Sequence, residues 1–189
     1  MDYTLSNKVS ALAPSVIREI LKFSNVPGMI SFAAGNPSPD AFPVKEIAEI
    51  TADIMRNRPI DALQYSITEG YVPLKDTMTE YMKTRHNIGK DFDQMIITAG
   101  AQQVMCFTTQ VLCNEGDTII CEAPTFIGSL NAFRSFGANL VGVPVENDGI
   151  NIEQLENALK NNKNVRFIYT IPNFQNPSGV TMSLEKRKA

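Results

Sequence analysis

The feature that most constrains this fold is the alternation of apolar runs with amphipathic helical patterns after residue 93. The runs at residues 95–98, 118–121, 140–145 and 165–170 predict strands, and the patterns at 101–113, 125–136 and 151–161 predict helices. Short turns rich in glycine, asparagine and aspartate join these segments. Strands that alternate with helices pair in parallel and are covered on both faces. The sequence therefore predicts an α/β fold with a mainly parallel sheet flanked by helices.

Before residue 93 the chain lacks this alternation. Residues 1–13 predict an extended arm, and Pro14 begins an amphipathic helix that ends near Gly28. The other predicted elements, in chain order, are a brief strand over 29–32, a proline- and glycine-rich loop over 34–39, a helix from Pro43, an irregular segment over 63–70 and a helix over 71–84. A loop as stiff as 34–39 is typical of a segment that holds a ligand.

Composition and charge narrow the class of protein. The chain has 189 residues, 43% of them hydrophobic and 20% charged, which is enough apolar material for a core. The net charge of -3 comes from mixed signs, so no basic stripe indicates nucleic acid and no polybasic anchor indicates lipid. No apolar run approaches the ~18 residues that span a bilayer, and the first residues are too polar for a signal peptide. We expect a cytoplasmic protein whose partners are small molecules or protein.

Cysteine and histidine usage argues against metal and triad chemistry. Cys106, Cys113 and Cys121 are odd in number, form no CxxC pair and lie in apolar surroundings, which predicts reduced core thiols. His86, the single histidine, lies in a polar stretch and is interpreted as a surface residue. A histidine-based metal site or a Ser-His-Asp triad is therefore not expected.

The segment TAGAQQ at residues 98–103 follows a predicted strand and opens a predicted helix. Such a helix start presents backbone N–H groups and the positive end of the helix dipole, which together favour a phosphate. Gly100 allows close approach of the backbone, Ala101 offers its N–H group, and Gln102 adds a side-chain donor. Taken alone, the segment is better explained as an ordinary turn between strand and helix.

Two further segments follow predicted strands of the same sheet. Phe126 comes after the strand at 118–121, where its ring can stack on a flat cofactor ring or fill the core. Asn176 begins the turn NPSG after the strand at 165–170, and a cis bond before Pro177 is compatible with that turn. Because parallel strands present their carboxyl ends at one edge, all three segments converge on one pocket.

These motifs together resemble those of fold-type I, pyridoxal 5'-phosphate (PLP) dependent aminotransferases of class I and II. The resemblance covers essentially the whole chain, as the amino-terminal part of that aspartate aminotransferase-like fold, and it implies PLP as cofactor. It assigns the phosphate to the turn containing Gly100, Ala101 and Gln102, stacking on the pyridine ring to Phe126, and a hydrogen bond to the phenolic oxygen to Asn176. The family commonly has serine in place of Ala101 and tyrosine in place of Phe126. Each departure removes a hydroxyl group without excluding the cofactor.

The resemblance also implies residues for the substrate and for a partner subunit. Gly35 matches a glycine beside the substrate carboxylate, where Asn176 also lies. Tyr65 matches a tyrosine that reaches the cofactor phosphate of a neighbouring subunit, which implies a homodimer. The segment PSVIREIL at residues 14–21 resembles a helix of the 2-aminoadipate/kynurenine aminotransferase group, in which Ser15 and Arg18 would meet an acidic substrate side chain. A solvated arginine on a helix also explains Arg18.

The implied function is an enzyme that moves an amino group between an amino acid, such as 2-aminoadipate or an aromatic one, and a 2-keto acid in biosynthesis. The family places the Schiff-base lysine, an acid at the pyridine nitrogen and an arginine for the substrate downstream of Asn176. Lys186 and Lys188 belong instead to a charged helix start capped by Ser183. We therefore expect a truncated chain without catalytic residues, inactive by itself.

On the same resemblance, residues 1–40 form an arm, helix and substrate loop of a small domain, and residues 41–189 form an incomplete large PLP-binding domain. Three alternatives stay open. One is an aminotransferase-like PLP-binding sensor domain of a transcription regulator, although such proteins carry a winged-helix domain ahead of the arm. Another is a PLP-dependent lyase or decarboxylase on the same scaffold. The third is a folded core without a function of its own.

Overall fold

The structure is a computed structural model that describes residues 4–10, 20, 26–30 and 37–189. Contacts within the chain group the described residues into two compact units. The larger unit contains those up to residue 18 together with Ala99–Ala189, and the smaller unit contains those from residue 19 to Thr98. The predicted boundary at residue 40 between a small and a large domain stays a prediction.

The elements follow the predicted alternation. The helices are α1 (Asn7–Ser10), α2 (Val44–Asn57), α3 (Pro59–Leu63), α4 (Val72–His86), α5 (Gly100–Leu112), α6 (Ile127–Ser135), α7 (Ile152–Asn161) and α8 (Leu184–Lys188), with a 3-10 turn at Pro39–Ala41. The strands are β1 (Thr118–Ala123), β2 (Asn139–Glu146), β3 (Gly149–Ile150) and β4 (Val165–Tyr169). They form one four-stranded sheet in the order β3-β2-β1-β4. Strand β1 is parallel to both β2 and β4, so the predicted mainly parallel sheet is confirmed.

The core lies on both faces of β1 because successive side chains of a strand point to opposite faces. On one face Ile119 and Cys121 pack with Phe133 of α6, and all three are almost fully buried. On the other face Ile120 packs with Val143 of β2 in a second buried cluster. Burial on both faces explains why Ile119, Ile120 and Cys121 follow one another in β1 without polar alternation.

The third strand was not predicted. The segment over residues 147–149 was interpreted as a turn from strand to helix, but it closes a hairpin in which Glu146 pairs with Gly149 in antiparallel fashion. Gly149 has a φ of +122°, and a Cβ atom there would lie 2.7 Å from Cγ of Met182. The close approach of Met182 and the positive φ explain the glycine, and Asn151 then caps α7 by accepting from the Gln154 N–H (2.8 Å).

In the smaller unit, the predicted helices from residue 43 and over residues 71–84 are confirmed as α2 and α4. The predicted strand over residues 95–98 is wrong. Ile97 donates its N–H to the Glu69 carbonyl (3.0 Å), and among the described residues no strand runs beside it. An apolar run becomes a strand only when a neighbouring backbone pairs along it. Gly70, with a φ of +108°, admits the Ile97 side chain, which lies 2.7 Å from an added Cβ.

The predicted extended arm is wrong over residues 7–10, which form α1. The Ser6 hydroxyl accepts the Val9 N–H (3.3 Å) and so caps this turn, a local hydrogen bond that competes with extended structure. Most of the predicted helix over 14–21 lies outside the described residues, although Ile20 is helical. The predicted strand over 29–32 is absent from its described part, residues 29–30.

Candidate active site

The predicted convergence can be followed at the carboxyl-terminal edge of the sheet. Strands β1 and β4 are neighbours and parallel, so the loop that carries Phe126 and the loop that carries Asn176 leave the sheet at the same edge. The start of α5 contacts the first turn of α6, directly after Phe126, because Nε2 of Gln102 donates to the Gly128 carbonyl (3.0 Å). The structure thus brings the three predicted segments together within the larger unit.

Helix α5 begins at Gly100, whose φ is +75°. The N–H groups of Ala101 and Gln102 lie in the first turn, where an α-helix provides no carbonyl four residues earlier. Gln103 also contributes, since its Oε1 accepts the Ala99 N–H (2.6 Å) and closes the turn. Sequence reasoning missed Gln103, because Ala99 and Gln103 are four residues apart and lack the Ser/Thr-x-x-Glu/Gln spacing of a capping box.

The position of the Phe126 ring is set by a glycine. A Cβ atom added at Gly128 would lie 2.5 Å from Cε1 of Phe126 and 3.0 Å from Oε1 of Gln102. No side chain fits there, so Gly128 provides the space in which the ring and the Gln102 amide lie side by side. Phe126 is partly exposed, which leaves part of its ring accessible to a ligand.

Asn176 begins a tight turn. The Asn176–Pro177 peptide bond is cis, as the sequence allowed, and so is the bond between Ala123 and Pro124. The turn closes through the Gln175 N–H, which donates to the Val180 carbonyl (2.8 Å). The Asn176 side chain is exposed, so its amide is available to a ligand.

Two buried polar side chains connect the loops of Phe126 and Asn176. Glu122 and Gln175 are each only 3% exposed. Nε2 of Gln175 donates to Oε2 of Glu122 (3.1 Å) and to the Pro124 carbonyl (2.7 Å). Sequence reasoning missed both residues. The available signal was a glutamate at the end of an apolar strand, since a buried polar group needs partners.

The end of the chain forms a separate cluster around α8. The predicted cap is confirmed, since the Ser183 hydroxyl accepts the Lys186 N–H (3.3 Å). Nζ of Lys186 binds Glu146 and Asp148, the latter at 2.8 Å. Partial burial works to lower the pKa of Lys186, but its hydrogen bonds to Asp148 and Glu146 raise that pKa above its ordinary value. Lys186 is therefore engaged in a charge cluster of the hairpin, as expected of a lysine in a charged helix start.

The remaining predicted site residues cannot be tied to this edge. Tyr65 lies in the smaller unit, and its side chain is 99% exposed. Ser15, Arg18 and Gly35 lie outside the described residues. The roles given to these four residues stay proposals.

The three cysteines are buried or partly buried free thiols, and the histidine lies at the surface. Burial raises the pKa of the Cys121 thiol to about 12. The pKa of the Cys113 thiol is also raised, mainly by burial and to a smaller extent by the negative charge of Asp117. His86 is exposed and lies edge-on to Tyr81, with ring centroids 5.5 Å apart.

Among the described residues, no group of three or more His, Cys, Asp or Glu side chains is arranged to hold a metal ion. Nor does any helix described by the structure have the length and apolarity needed to cross a membrane.

Comparisons with known proteins give consistent matches. The family profile described as aminotransferase class I and II matches residues 27–189. The aromatic-amino-acid aminotransferase 1 of Thermococcus litoralis is 39% identical over 100% of this chain and 46% of its own length. The 2-aminoadipate transaminase of Thermus thermophilus is 41% identical over 92% of this chain and 42% of its own length.

Similar solved structures agree. The kynurenine aminotransferase of Pyrococcus horikoshii, solved in complex with PMP, superposes with a TM-score of 0.89 and 37% identity. That match covers 97% of this chain and 46% of the solved chain. The chain therefore spans less than half the length of each of these three relatives.

Proposed function

This chain belongs to the aminotransferase class I and II family, and we propose that the full-length protein transfers amino groups with PLP as its cofactor. The reaction moves the amino group of an amino acid to a 2-keto acid. The observation that carries the proposal is the convergence of the α5 start, Phe126 and Asn176 at one edge of the sheet. We assign this activity to the full-length protein because the chain matches only 46% of the length of the Thermococcus litoralis enzyme.

The residues at this edge fit the cofactor part by part. The phosphate binds the first turn of α5, where the N–H groups of Ala101 and Gln102 and the helix dipole favour an anion. Gln102 contributes mainly its backbone, because its side-chain amide already donates to Gly128. The accessible part of the Phe126 ring stacks on the pyridine ring, and the exposed Asn176 amide donates to the phenolic oxygen.

The bound cofactor supplies the electron sink that lets a proton leave the α-carbon of the substrate. The residues of this chain hold and orient that cofactor. The lysine that binds it covalently, the acid at the pyridine nitrogen and the arginine for the substrate carboxylate lie in the remaining part of the full-length protein. On this proposal the 189-residue chain alone does not transaminate and binds PLP weakly.

We propose 2-aminoadipate or an aromatic amino acid as substrate, in keeping with the names of the relatives. Arg18, with Ser15, pairs with an acidic side-chain carboxylate, and Gly35 lies beside the α-carboxylate. Tyr65 reaches the cofactor phosphate of a second copy, which makes the protein a homodimer. Tyr65 is 99% exposed, so its ring and hydroxyl group are accessible to a second copy, as this role requires. The cytoplasm is the proposed compartment.

The test is the absorbance spectrum of the full-length protein with PLP, recorded before and after an amino acid is added. We expect a protein-bound PLP band that converts to the pyridoxamine form with 2-aminoadipate or an aromatic amino acid. A folded full-length protein without any such band would contradict the proposal and favour the alternative of a folded core without a function of its own. A lyase would release ammonia instead of forming keto acid and amino acid in equal amounts.

A further inference from the structure

We infer that Gln175 is a positioning residue, which fixes the Asn176 and Phe126 loops relative to each other through Glu122 and Pro124. This inference rests on the proposed function, since it concerns the same cofactor site. Gln175 directly precedes Asn176 in the chain, and Pro124 lies two residues before Phe126. The hydrogen bond from Nε2 of Gln175 to the Pro124 carbonyl (2.7 Å) therefore joins the two ligand-bearing loops close to their functional residues.

The side chain of Gln175 uses its full hydrogen-bonding capacity. A glutamine amide has two N–H donors and an oxygen that accepts two hydrogen bonds. The donors bind Glu122 and the Pro124 carbonyl, while the oxygen accepts from the Ser178 N–H (2.9 Å) and the Ser178 hydroxyl (2.7 Å). A buried amide with four directional partners holds one orientation, and it holds the Asn176–Gly179 turn with it.

Glu122 anchors this amide to the sheet. It is the fifth residue of β1, and its Oε2 also accepts the Ile171 N–H (3.1 Å) just after β4. The same oxygen thus receives a donor from each part of the β4 loop, from Ile171 and from Gln175. Because β1 lies between β2 and β4 in the sheet, Glu122 joins the loops of Phe126 and Asn176 to a strand that is paired on both sides.

The arrangement specifies an amide at residue 175. Glutamate there would place an acceptor opposite Glu122 and the Pro124 carbonyl, while leucine would remove all four hydrogen bonds of the amide. A displacement of Asn176 by a fraction of an ångström weakens its hydrogen bond to the phenolic oxygen, since that bond depends on distance and angle. Loss of the Gln175 side chain therefore weakens cofactor binding indirectly, by displacing Asn176.

The experiment uses the full-length protein and two readouts, the Kd for PLP and the position of the bound-cofactor absorption band at saturating PLP. We expect Gln175→Leu to raise the Kd by about tenfold, which is the typical effect of removing a residue that orients a ligand-binding side chain. We also expect its band to move in the same direction as the band of Asn176→Ala. Gln175→Glu should behave like Gln175→Leu.

Rescue and a stability control separate positioning from a loss of folding. Adding Glu122→Gln to Gln175→Glu restores a donor and an acceptor between the two side chains but not the hydrogen bond to the Pro124 carbonyl, so the double variant should recover part of the band shift and part of the affinity. Ile150→Ala, in the buried cluster on the opposite face from Phe133, should lower the unfolding temperature but leave the band unchanged.

The outcomes distinguish this inference from the proposed function. If the wild-type protein forms the band and Gln175→Leu keeps both its position and the Kd, the inference is wrong while the proposed function stands. The same holds if the double variant recovers nothing relative to Gln175→Glu. A folded wild-type protein that forms no band would overturn both together.

Discussion

At the scale of single residues, the sequence identified the groups that can touch a ligand more readily than the groups that hold them. Phe126 and Asn176 were selected because each follows a predicted strand and matches a motif of the aminotransferase family. Gln175 offers no such signal and Glu122 only its place at the end of an apolar strand, because their contact depends on the pairing of β1 with β4, which brings together residues 53 positions apart in the chain. Sequence patterns report neighbours along one element and not partners across a sheet.

Phe126 gives a prediction about stacking. Phe126→Leu keeps an apolar side chain but removes the flat ring, and aromatic pairs gain about 0.5–1.5 kcal/mol beyond their buried area. We expect the Kd of the full-length protein for PLP to rise by about threefold to tenfold. Phe126→Tyr serves as the matched control and should bind PLP at least as tightly as the wild type, and equal affinities for Phe126→Leu and the wild type would rule out stacking.

Asp117 gives a prediction about acid stability. The Asn114 backbone N–H (2.8 Å) and then the Arg166 guanidinium (2.7 Å) hold the pKa of this buried carboxyl below its ordinary value. A depressed pKa contributes stability that is present above the unfolded-state pKa, about 3.9 for aspartate, and that is lost as the pH falls through the folded-state value. Unfolding temperatures of the full-length protein should therefore fall below about pH 4, and Asp117→Asn should flatten this dependence.

The matched control for Asp117 is Asp91. Its side chain is fully exposed and lies 3.7 Å from Lys83, a surface pair of the kind that contributes little. Asp91→Asn should keep the acid dependence of the wild type. An Asp117→Asn variant with an unchanged pH profile would show that this carboxyl does not stabilise the fold through its charge.

At the scale of elements, the sequence predicted most helices and three of the four strands, because amphipathic periodicity and continuous apolar runs are local signals. Two of the errors, the strand predicted at 95–98 and the missed strand β3, share a cause. The run at 95–98 has the composition of a strand but no paired backbone beside it, while β3 is only two residues long and exists because β2 pairs with it. Strand pairing depends on tertiary structure, so the local sequence predicts neither the absence of a strand at 95–98 nor the presence of β3.

The β2–β3 hairpin gives a prediction about Gly149. Gly149→Ala combines the strain of a φ of +122° with a Cβ atom 2.7 Å from Met182, whereas Gly116→Ala imposes a φ of +86° with nothing within 4 Å. We expect Gly149→Ala to lower the free energy of unfolding of the full-length protein by about 1–3 kcal/mol more than Gly116→Ala does. Urea unfolding measures both, and equal losses would mean that Met182 moves aside without cost.

At the scale of the whole molecule, this chain spans less than half the length of its relatives from Thermococcus litoralis and Thermus thermophilus. Val44, Ile47 and Ile50 form an apolar stripe along α2, and each is more than half exposed in the described structure. Contiguous apolar surface of this kind is typical of an interface. Since the relatives are more than twice as long, we expect the remaining part of the protein or a second subunit to cover this stripe.

This stripe leads to a prediction about the isolated chain. Exposed apolar surface binds the dye ANS, so the 189-residue chain should bind more ANS per molecule than the full-length protein. Replacing Ile47 and Ile50 by lysine should reduce that binding in the isolated chain. Equal dye binding by the two proteins would show that the stripe stays exposed in the longer protein.

The central claim is that the full-length protein transaminates with PLP held at the carboxyl-terminal edge of this sheet. The most direct measurement loads the full-length protein with PLP, adds 2-aminoadipate or an aromatic amino acid without any keto acid, and quantifies the products. We predict one keto acid formed per bound PLP, with the PLP band lost in step and regained when a 2-keto acid is added. Release of ammonia, or no keto acid from a fully loaded protein with either class of amino acid, would contradict the claim.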